Sequence, residues 1–183
     1  IALPAAPDAR PGWLLRSQHR AYARALAALR TYRGAILAEP TGSGKTYVAL
    51  AVAWRWQRTP VACIVPAPLV DKWRATAARL GLAAVVTSHE QASRGRLPAG
   101  TRGLVLVDES HHFRHPDILR YRHVAAFLAG RAALLLTATP VVNRVEDVAH
   151  QLRLAVRDDA LALEGLDSLA AGIRAAPAAL GAV

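Results

Sequence analysis

The sequence predicts an α/β domain with a doubly wound, mostly parallel sheet that carries helices on both faces. Two observations lead to this fold class. First, short apolar runs without polar alternation are separated by segments of helical spacing, which is typical of strands buried on both faces of a parallel sheet. Second, the polar motifs described below directly follow predicted strands. Ligands bind at that end of the strands in doubly wound sheets, whose crossovers are right-handed.

The predicted elements alternate along the chain. The first helix is expected over residues 13–30, where helical spacing lets four apolar side chains share one face, namely Leu15, Tyr22, Leu26 and Leu29. Buried strands are expected at residues 34–39, 60–66, 83–88, 103–110 and 132–140. Helices are expected at residues 45–56, 69–80, 117–130 and 144–156. The Ala- and Leu-rich segment 157–183 is assigned no role.

The composition indicates a folded domain. Hydrophobic residues make up 53% of the 183 residues and charged residues 20%, which suits one domain of ordinary size. The longest apolar runs are too short to cross a bilayer. Cys63 is the single cysteine, so no internal disulfide is possible. A cytoplasmic, nucleoid-associated bacterial setting is expected, and a chain that starts with Ile1 and contains no Met indicates a fragment of a longer protein.

The charge balance indicates a polyanionic partner. The chain has 23 Lys and Arg residues against 13 Asp and Glu, a formal net charge of +10, and nucleic acid is the leading candidate for such a partner. Compositional bias is the alternative, because a GC-rich genome favours Arg and Ala over Lys. Bias explains the preference for Arg over Lys, but less readily the excess of basic over acidic side chains.

The segment EPTGSGKT at residues 39–46 has the pattern of a phosphate-binding loop between a strand and a helix, although the strict pattern has Gly where this chain has Glu39. Backbone N–H groups of such a loop bind anions, and Gly42 and Gly44 let the backbone curl at low steric cost. Lys45 is one of only two lysines, which indicates a site that a compact ammonium group can reach and the planar guanidinium of Arg cannot. Thr46 is expected to give a hydroxyl ligand to Mg²⁺.

A pair of acids follows the apolar run at 104–107. Asp108 and Glu109 stand where phosphoryl-transfer enzymes place an acid that holds Mg²⁺ and a neighbouring Glu that activates the attacking water. Acids that merely lie at a helix N-terminus are the alternative. The loop at 39–46 favours the catalytic interpretation.

In chain order, these segments resemble the motifs of superfamily 2 helicases. The segments that resemble motifs I, II and III are, respectively, residues 39–46, 108–111 (DESH) and 134–148 (LLLTATPVVNRVEDV). Further features are similar to the Swi/Snf-type double-stranded DNA translocases, namely Glu39, residues 64–73 (IVPAPLVDKW) and residues 86–91 (VTSHEQ). His89 stands where Tyr is common in that branch. Gln18, in RSQHRA, resembles the glutamine that contacts adenine. The resemblance covers residues 14 to about 150.

The resemblance implies a RecA-like P-loop NTPase domain, the first of two lobes between which ATP and Mg²⁺ bind. Residues 1–32 would form an N-terminal helical segment with the glutamine motif, 33–156 the core, and 157–183 a tail that leads to an absent second lobe. Motifs IV, V and VI belong to that lobe, including the arginine fingers that complete catalysis. The implied ATP-binding residues are Gln18, Thr41, Gly42, Ser43, Gly44, Lys45 and Thr46, and the implied Mg²⁺ ligands are Thr46 and Asp108.

The resemblance also assigns residues that would couple nucleotide to nucleic acid. The implied coupling residues are His111, Thr137 and Thr139. Residues 66–74 and 87–94 would contact a double-stranded DNA backbone, and the candidate phosphate donors are Lys72, Arg74, Ser88 and Arg94. For each donor singly, an ordinary solvated surface explains the residue nearly as well, and packing explains Trp73 better than base stacking. His112 and His115 lack the further ligands that would complete a metal site.

The expected function is that of the ATP-binding lobe of a DNA-dependent ATPase. Lys45, Asp108 and Glu109 would be its catalytic residues, and the isolated lobe would be weakly active. Two alternatives remain open. A different phosphate-loop enzyme, such as a small kinase or a nucleotide switch, would need a substrate lid or a base-specificity motif, and none is visible. A non-catalytic nucleotide-binding module is disfavoured by the intact loop and acids.

Overall fold

Five strands in the described part of the chain form one sheet. The structure is a computed structural model that describes residues 9–172, except 57–59, 102 and 141–145, together with residue 175. The strands are β1 Gly34–Ala38, β2 Val61–Val65, β3 Ala84–Ser88, β4 Leu104–Val107 and β5 Ala132–Thr137. They lie in the order β1-β5-β4-β2-β3, and every neighbouring pair is parallel. The predicted parallel sheet is therefore confirmed.

Helices cover both faces of this sheet, as the unbroken apolar strands predict. The helices are α1 His19–Tyr32, α2 Lys45–Trp56, α3 Val70–Arg79, α4 His89–Ser93, α5 Leu119–Leu128 and α6 Glu146–Ala155. One apolar layer contains residues of α1, α2 and α3, including Leu29, Leu50 and Trp73. The other contains residues of α4, α5 and α6, including Val124 and Leu154. The sheet is thus doubly wound.

The strand register brings the carboxyl ends of the strands to one edge. Near those ends the paired residues are Ala38 with Thr137, Leu135 with Val107, Val107 with Ile64, and Val65 with Ser88. The residues that come next in the chain therefore lie side by side, although they are far apart in sequence. Glu39 follows β1, Asp108 follows β4 and Pro66 follows β2. The described residues that follow these strand ends, including the phosphate-loop segment and the acid pair, therefore meet at this edge.

The first helix begins later than predicted. Residues Arg16–Gln18 form a 3-10 turn, and α1 begins at His19. Leu15 was expected on the apolar face, but it has an extended backbone and is 63% exposed. The Gln18 side-chain oxygen accepts a hydrogen bond from the Leu15 backbone N–H at 3.2 Å, so a side-chain contact closes the turn there. The other three predicted members of the face are buried, namely Tyr22, Leu26 and Leu29.

The strands that carry the motifs end sooner than predicted. The strand expected to reach 110 ends at Val107 and is followed by a 3-10 helix at Ser110–Phe113; the one expected to reach 140 ends at Thr137. The polar residues of both motifs therefore lie in loops rather than in strands. Residues 141–145 of the predicted third motif, and most of the predicted tail beyond 172, lie outside the described residues. Among the residues described, no helix has the length and apolar character needed to cross a membrane.

Candidate nucleotide-binding site

The loop at 39–46 is curled as a phosphate-binding loop requires. Gly42 and Gly44 adopt φ values of +84° and +83°, a left-handed conformation that glycine adopts without the steric cost other residues incur. Helix α2 follows directly, and the carbonyl of Gly44 accepts from the N–H groups of Tyr47 at 2.9 Å and Val48 at 3.2 Å. The free N–H groups of a helix N-terminus attract anions. The loop and α2 thus present backbone donors beside the sheet edge.

Polar groups inside the loop are poised for an anion. The Lys45 ammonium donates to the carbonyl oxygens of Glu39 at 2.8 Å and Pro40 at 3.1 Å, so it lies within the curl rather than in solvent. The Ser43 hydroxyl oxygen is inaccessible to solvent and has no hydrogen-bond partner among the described residues. A buried hydroxyl without a partner is costly, and a phosphate oxygen is the partner that this surrounding chemistry favours. Thr41 is exposed and Thr46 is half-buried at the start of α2.

Gln18 lies directly against the loop. Its side chain is 7% exposed, and its amide nitrogen donates to the Ser43 carbonyl at 3.2 Å. A Cβ atom built on Gly44 would lie 2.2 Å from that amide nitrogen. Two constraints therefore favour glycine at position 44: the positive φ angle and the close approach of the Gln18 side chain. The contact of Gln18 with adenine stays a prediction.

Asp108 is the most enclosed acid of the site, at 5% exposure. Its two carboxylate oxygens accept different donors: Oδ1 from the Glu109 backbone N–H at 3.1 Å, and Oδ2 from the Trp73 indole N–H at 3.2 Å. Burial raises the pKa of Asp108 and the neighbouring Glu109 raises it further, while the Trp73 hydrogen bond and the Lys45 charge act in the opposite direction. A buried carboxylate next to a second acid is an environment in which a divalent cation would relieve the electrostatic cost.

Glu109 occupies a strained backbone position that links motif II to the end of β5. Its φ of 48° lies in the left-handed region, which for a residue other than glycine marks a site held by its surroundings. His111 Nδ1 lies 3.3 Å from Glu109 Oε2 and 3.1 Å from Thr137 Oγ1. That hydroxyl oxygen also accepts from the Thr139 backbone N–H at 3.1 Å. The structure thus brings together the three predicted coupling residues, whose coupling role stays a prediction.

Burial also changes the acid–base behaviour of His111. Desolvation and the neighbouring His112 lower its pKa, and the Glu109 carboxylate acts in the opposite direction. The ring is therefore favoured in its neutral form, in which one nitrogen donates and the other accepts. The Thr137 hydroxyl oxygen and the Glu109 carboxylate both lie against Nδ1, so a neutral ring with its proton on Nδ1 can donate toward these two oxygens.

The candidate nucleic-acid residues have different surroundings. Lys72 and Arg94 are exposed, and nothing in their described surroundings opposes a phosphate contact. Arg74 is exposed, but it forms an ion pair with Asp71 at 3.3 Å and donates to the Val86 carbonyl at 3.1 Å. Ser88 is 7% exposed, and its hydroxyl accepts from the Gln91 N–H at 3.1 Å. The predicted phosphate contact of Ser88 would have to compete with this helix cap.

Three features of the site were missed in the sequence. The Ser88 and Gln91 side chains form a reciprocal capping box that starts α4, and their spacing of three is a signal that the sequence does contain. The His89 Nε2–H donates to the Asp108 carbonyl at 2.9 Å. Trp73, correctly predicted to pack in the core, is 1% exposed and also donates to Asp108. Nothing in the sequence pairs either of these side chains with that acid.

Comparisons with known proteins agree with the fold and the motifs. A family model described as "Type III restriction enzyme, res subunit" matches residues 13–91. The chain is 25% identical over 142 residues to a protein of Acanthamoeba polyphaga mimivirus that is named as an ATP-dependent RNA helicase; the match covers 74% of this chain and 32% of that protein. The solved Sulfolobus solfataricus SWI2/SNF2 ATPase core in complex with dsDNA superposes with a TM-score of 0.66 at 18% identity, covering 85% of this chain and 38% of that chain.

The fold of the chain is that of a RecA-like lobe. Its sequence matches are with proteins described as a restriction-enzyme res subunit and as a helicase, so the chain is similar to superfamily 2 helicases. Its fold is that of a Swi2/Snf2 ATPase core, a likeness of architecture at low sequence identity. The chain spans 32% of the length of the mimivirus relative and 38% of the length of the SWI2/SNF2 core.

Proposed function

We propose that this chain is the ATP-binding lobe of a nucleic-acid-dependent ATPase that moves on double-stranded DNA when joined to a second RecA-like lobe. One observation carries the proposal: the loop that contains Lys45 and the acid pair Asp108–Glu109 meet at the same sheet edge. Lys45 and Asp108 are 63 residues apart in the sequence. A phosphate-binding loop beside a buried acid pair is the arrangement needed to hold a nucleoside triphosphate and activate water.

The residues fit ATP and Mg²⁺ in complementary ways. Backbone N–H groups of the loop, the Ser43 hydroxyl and the Lys45 ammonium would bind phosphate oxygens. Thr46 and Asp108 would hold Mg²⁺, which needs only one or two protein ligands when phosphates supply others. Bound Mg²⁺ would neutralise phosphate charge during transfer. Glu109 would orient and deprotonate water, and its hydrogen-bonded neighbour His111 would keep that carboxylate in place.

Charge and placement support nucleic acid as the partner. The chain carries a formal net charge of +10, and the exposed Lys72 lies on α3 while the exposed Arg94 directly follows α4. Both helices begin after strand ends at the same sheet edge as the loop. The solved SWI2/SNF2 core was in complex with dsDNA, whereas the mimivirus relative is named for RNA. We propose duplex DNA as the nucleic acid that this lobe binds. Binding affinities for a DNA duplex and for an RNA duplex of the same sequence, measured side by side, distinguish the two.

Catalysis by the lobe alone is expected to be slow. The positive groups that stabilise the transferred phosphoryl group in related enzymes are arginine fingers, each worth about 10³–10⁵ in rate. By the resemblance, a second lobe would supply them. The lobe by itself would then bind Mg-ATP and release phosphate slowly.

Calorimetric titration with Mg-ATP tests the site, and the chain has a matched control. Lys45 and Lys72 are its only lysines, so Lys45→Ala and Lys72→Ala remove the same group inside and outside the loop. Lys45→Ala should lose about 1.5–3 kcal/mol, the usual contribution of hydrogen bonds to charged groups, which weakens binding about ten- to a hundredfold. Lys72→Ala should bind like the parent. Equal affinities for the parent and Lys45→Ala would contradict the assignment of the loop.

A further inference from the structure

Two buried side chains from different elements converge on Asp108. Trp73 comes from α3 and is 1% exposed; His89 is the first residue of α4 and is 4% exposed. Trp73 donates to the carboxylate, and His89 donates to the backbone carbonyl of the same residue. Asp108 is thus held at both ends, by groups that belong to the two helices on which the nucleic-acid contacts are proposed.

The Trp73 contact joins the basic outer face of α3 to the acid. Lys72 and Arg74 flank Trp73 in the sequence and are exposed, whereas the indole points inward and donates to Asp108 Oδ2 at 3.2 Å. A large rigid ring in a close-packed layer has little freedom to move separately from its helix. A small displacement of α3 would therefore lengthen or bend this hydrogen bond, and hydrogen bonds weaken steeply when they are bent.

The His89 contact makes a similar connection from α4. A carbonyl oxygen can only accept, so His89 carries its proton on Nε2 and donates to Asp108 at 2.9 Å. The ring is held edge-to-face against Phe113, with centroids 4.8 Å apart. The Ser93 hydroxyl donates to the His89 carbonyl at 2.7 Å and closes the short helix, after which Arg94 begins the exposed segment. A movement of Arg94 would thus be transmitted through α4 and the His89 ring to the backbone carbonyl of Asp108.

We propose that Trp73 and His89 are positioning residues that couple nucleic-acid binding on α3 and α4 to the orientation of the Asp108 carboxylate. The inference rests on the proposed function, because it needs both a nucleotide and a nucleic-acid site. Neither residue touches the reacting atoms. Since coupling between two sites is reciprocal, duplex binding should change Mg-ATP affinity by the same factor as Mg-ATP changes duplex affinity.

Indole N–H signals in ¹H–¹⁵N spectra report the contact without any need for turnover. The chain has four tryptophans, and Trp73→Phe identifies the signal of Trp73. Addition of a 20-base-pair DNA duplex to the nucleotide-free chain should shift the Trp73 signal. The signal of Trp56, which is buried in the same apolar layer, is the internal control and should stay in place.

Matched variants test the coupling itself. Trp73→Phe and His89→Phe keep an aromatic ring and remove the donor, and Trp56→Phe makes the same kind of change elsewhere in the layer. In the parent and in Trp56→Phe, saturating duplex should change Mg-ATP affinity by about fivefold or more, the usual lower range of coupling. In the two donor variants that factor should fall toward one, whatever their Mg-ATP affinity without duplex, because the factor is a ratio of two affinities measured in the same variant.

The outcomes separate this inference from the function on which it rests. A parent chain that binds Mg-ATP and duplex but leaves the Trp73 signal unmoved overturns the inference alone. So does a coupling factor that is the same in Trp73→Phe as in Trp56→Phe. A parent chain that binds neither ligand overturns the proposed function and this inference with it. The spectra of the parent decide the matter even where Trp73→Phe or His89→Phe fails to fold, because replacing the other three tryptophans one at a time by Phe also identifies the Trp73 signal.

Discussion

Acid should destabilise this protein through His89, because the fold holds that ring in its neutral form. Burial is the largest influence and lowers the pKa of His89 from 6.5 to about 4. Between these two values the unfolded chain binds a proton that the folded chain does not. The stabilisation is therefore fully present above pH 6.5 and is lost as the pH falls toward 4. Each pKa unit corresponds to about 1.4 kcal/mol, so the loss at pH 4 is about 3 kcal/mol.

The charged groups around His89 do not alter this sign. The neighbouring His112 and Arg120 disfavour a charged ring, while the Asp108 carbonyl and the Glu90 carboxylate favour it; burial outweighs them. Asp108 acts in the opposite sense, because its pKa is raised in the folded state. The contribution of Asp108 to the free energy of unfolding is therefore present at low pH and is lost as the pH rises through the pKa of Asp108 in the folded state. The effect of His89 must therefore be measured as a difference between two variants that both retain Asp108.

Urea unfolding at intervals from pH 7.5 to pH 4 provides that difference. His89→Gln keeps an N–H donor for the Asp108 carbonyl but does not titrate, and His115→Gln, at an exposed position, controls for the loss of a histidine. From pH 7 to pH 4 the free energy of unfolding of the parent should fall by about 3 kcal/mol more than that of His89→Gln. His115→Gln should follow the parent. Parallel curves for the parent and His89→Gln would show that the fold does not hold His89 in its neutral form.

Three further outcomes are expected. Gly42→Ala and Gly44→Ala should each cost about 1–2 kcal/mol of stability because both positions are left-handed, but only Gly44→Ala should also displace Gln18 and weaken Mg-ATP binding, since the Cβ at Gly42 meets open space. Burial raises the pKa of Cys63 to about 12, so labelling of this thiol should be about a thousandfold or more slower in the folded than in the unfolded chain. Duplex binding should weaken steeply with salt, and Arg94→Ala should reduce the slope by about one unit or less; an unchanged slope would exclude a phosphate contact at Arg94.

The strands and the edge where the motifs meet could be predicted because each depends on local pattern. An unbroken apolar run such as 104–107 is buried on both faces wherever it lies in a parallel sheet, and the acids that follow it must then lie at the sheet edge. The glycines of the loop could be predicted for the same reason: the conformation at Gly42 and Gly44 is a property of the loop itself, and both have positive φ.

The features that the sequence did not predict depend on contacts between distant residues. Trp73 and Asp108 are separated by 35 residues, and periodicity shows that Trp73 is buried but not what its indole donates to. Helix α4 has five residues, too few for a helical period to be visible. The start of α1 was misplaced because Leu15 continues the apolar spacing, while the Gln18 side chain closes a 3-10 turn instead.

Steady-state phosphate release shows directly whether this chain is one lobe of a two-lobed ATPase. The 183-residue chain should bind Mg-ATP, hydrolyse it slowly and be little stimulated by duplex DNA. A downstream second lobe, fused or added in trans, should raise turnover by about 10³-fold or more, the contribution of an arginine finger. Glu109→Gln should abolish that gain and leave Mg-ATP binding intact. Rapid, DNA-stimulated turnover by the lobe alone would contradict the need for a second lobe, and a gain that survives Glu109→Gln would contradict the role of Glu109.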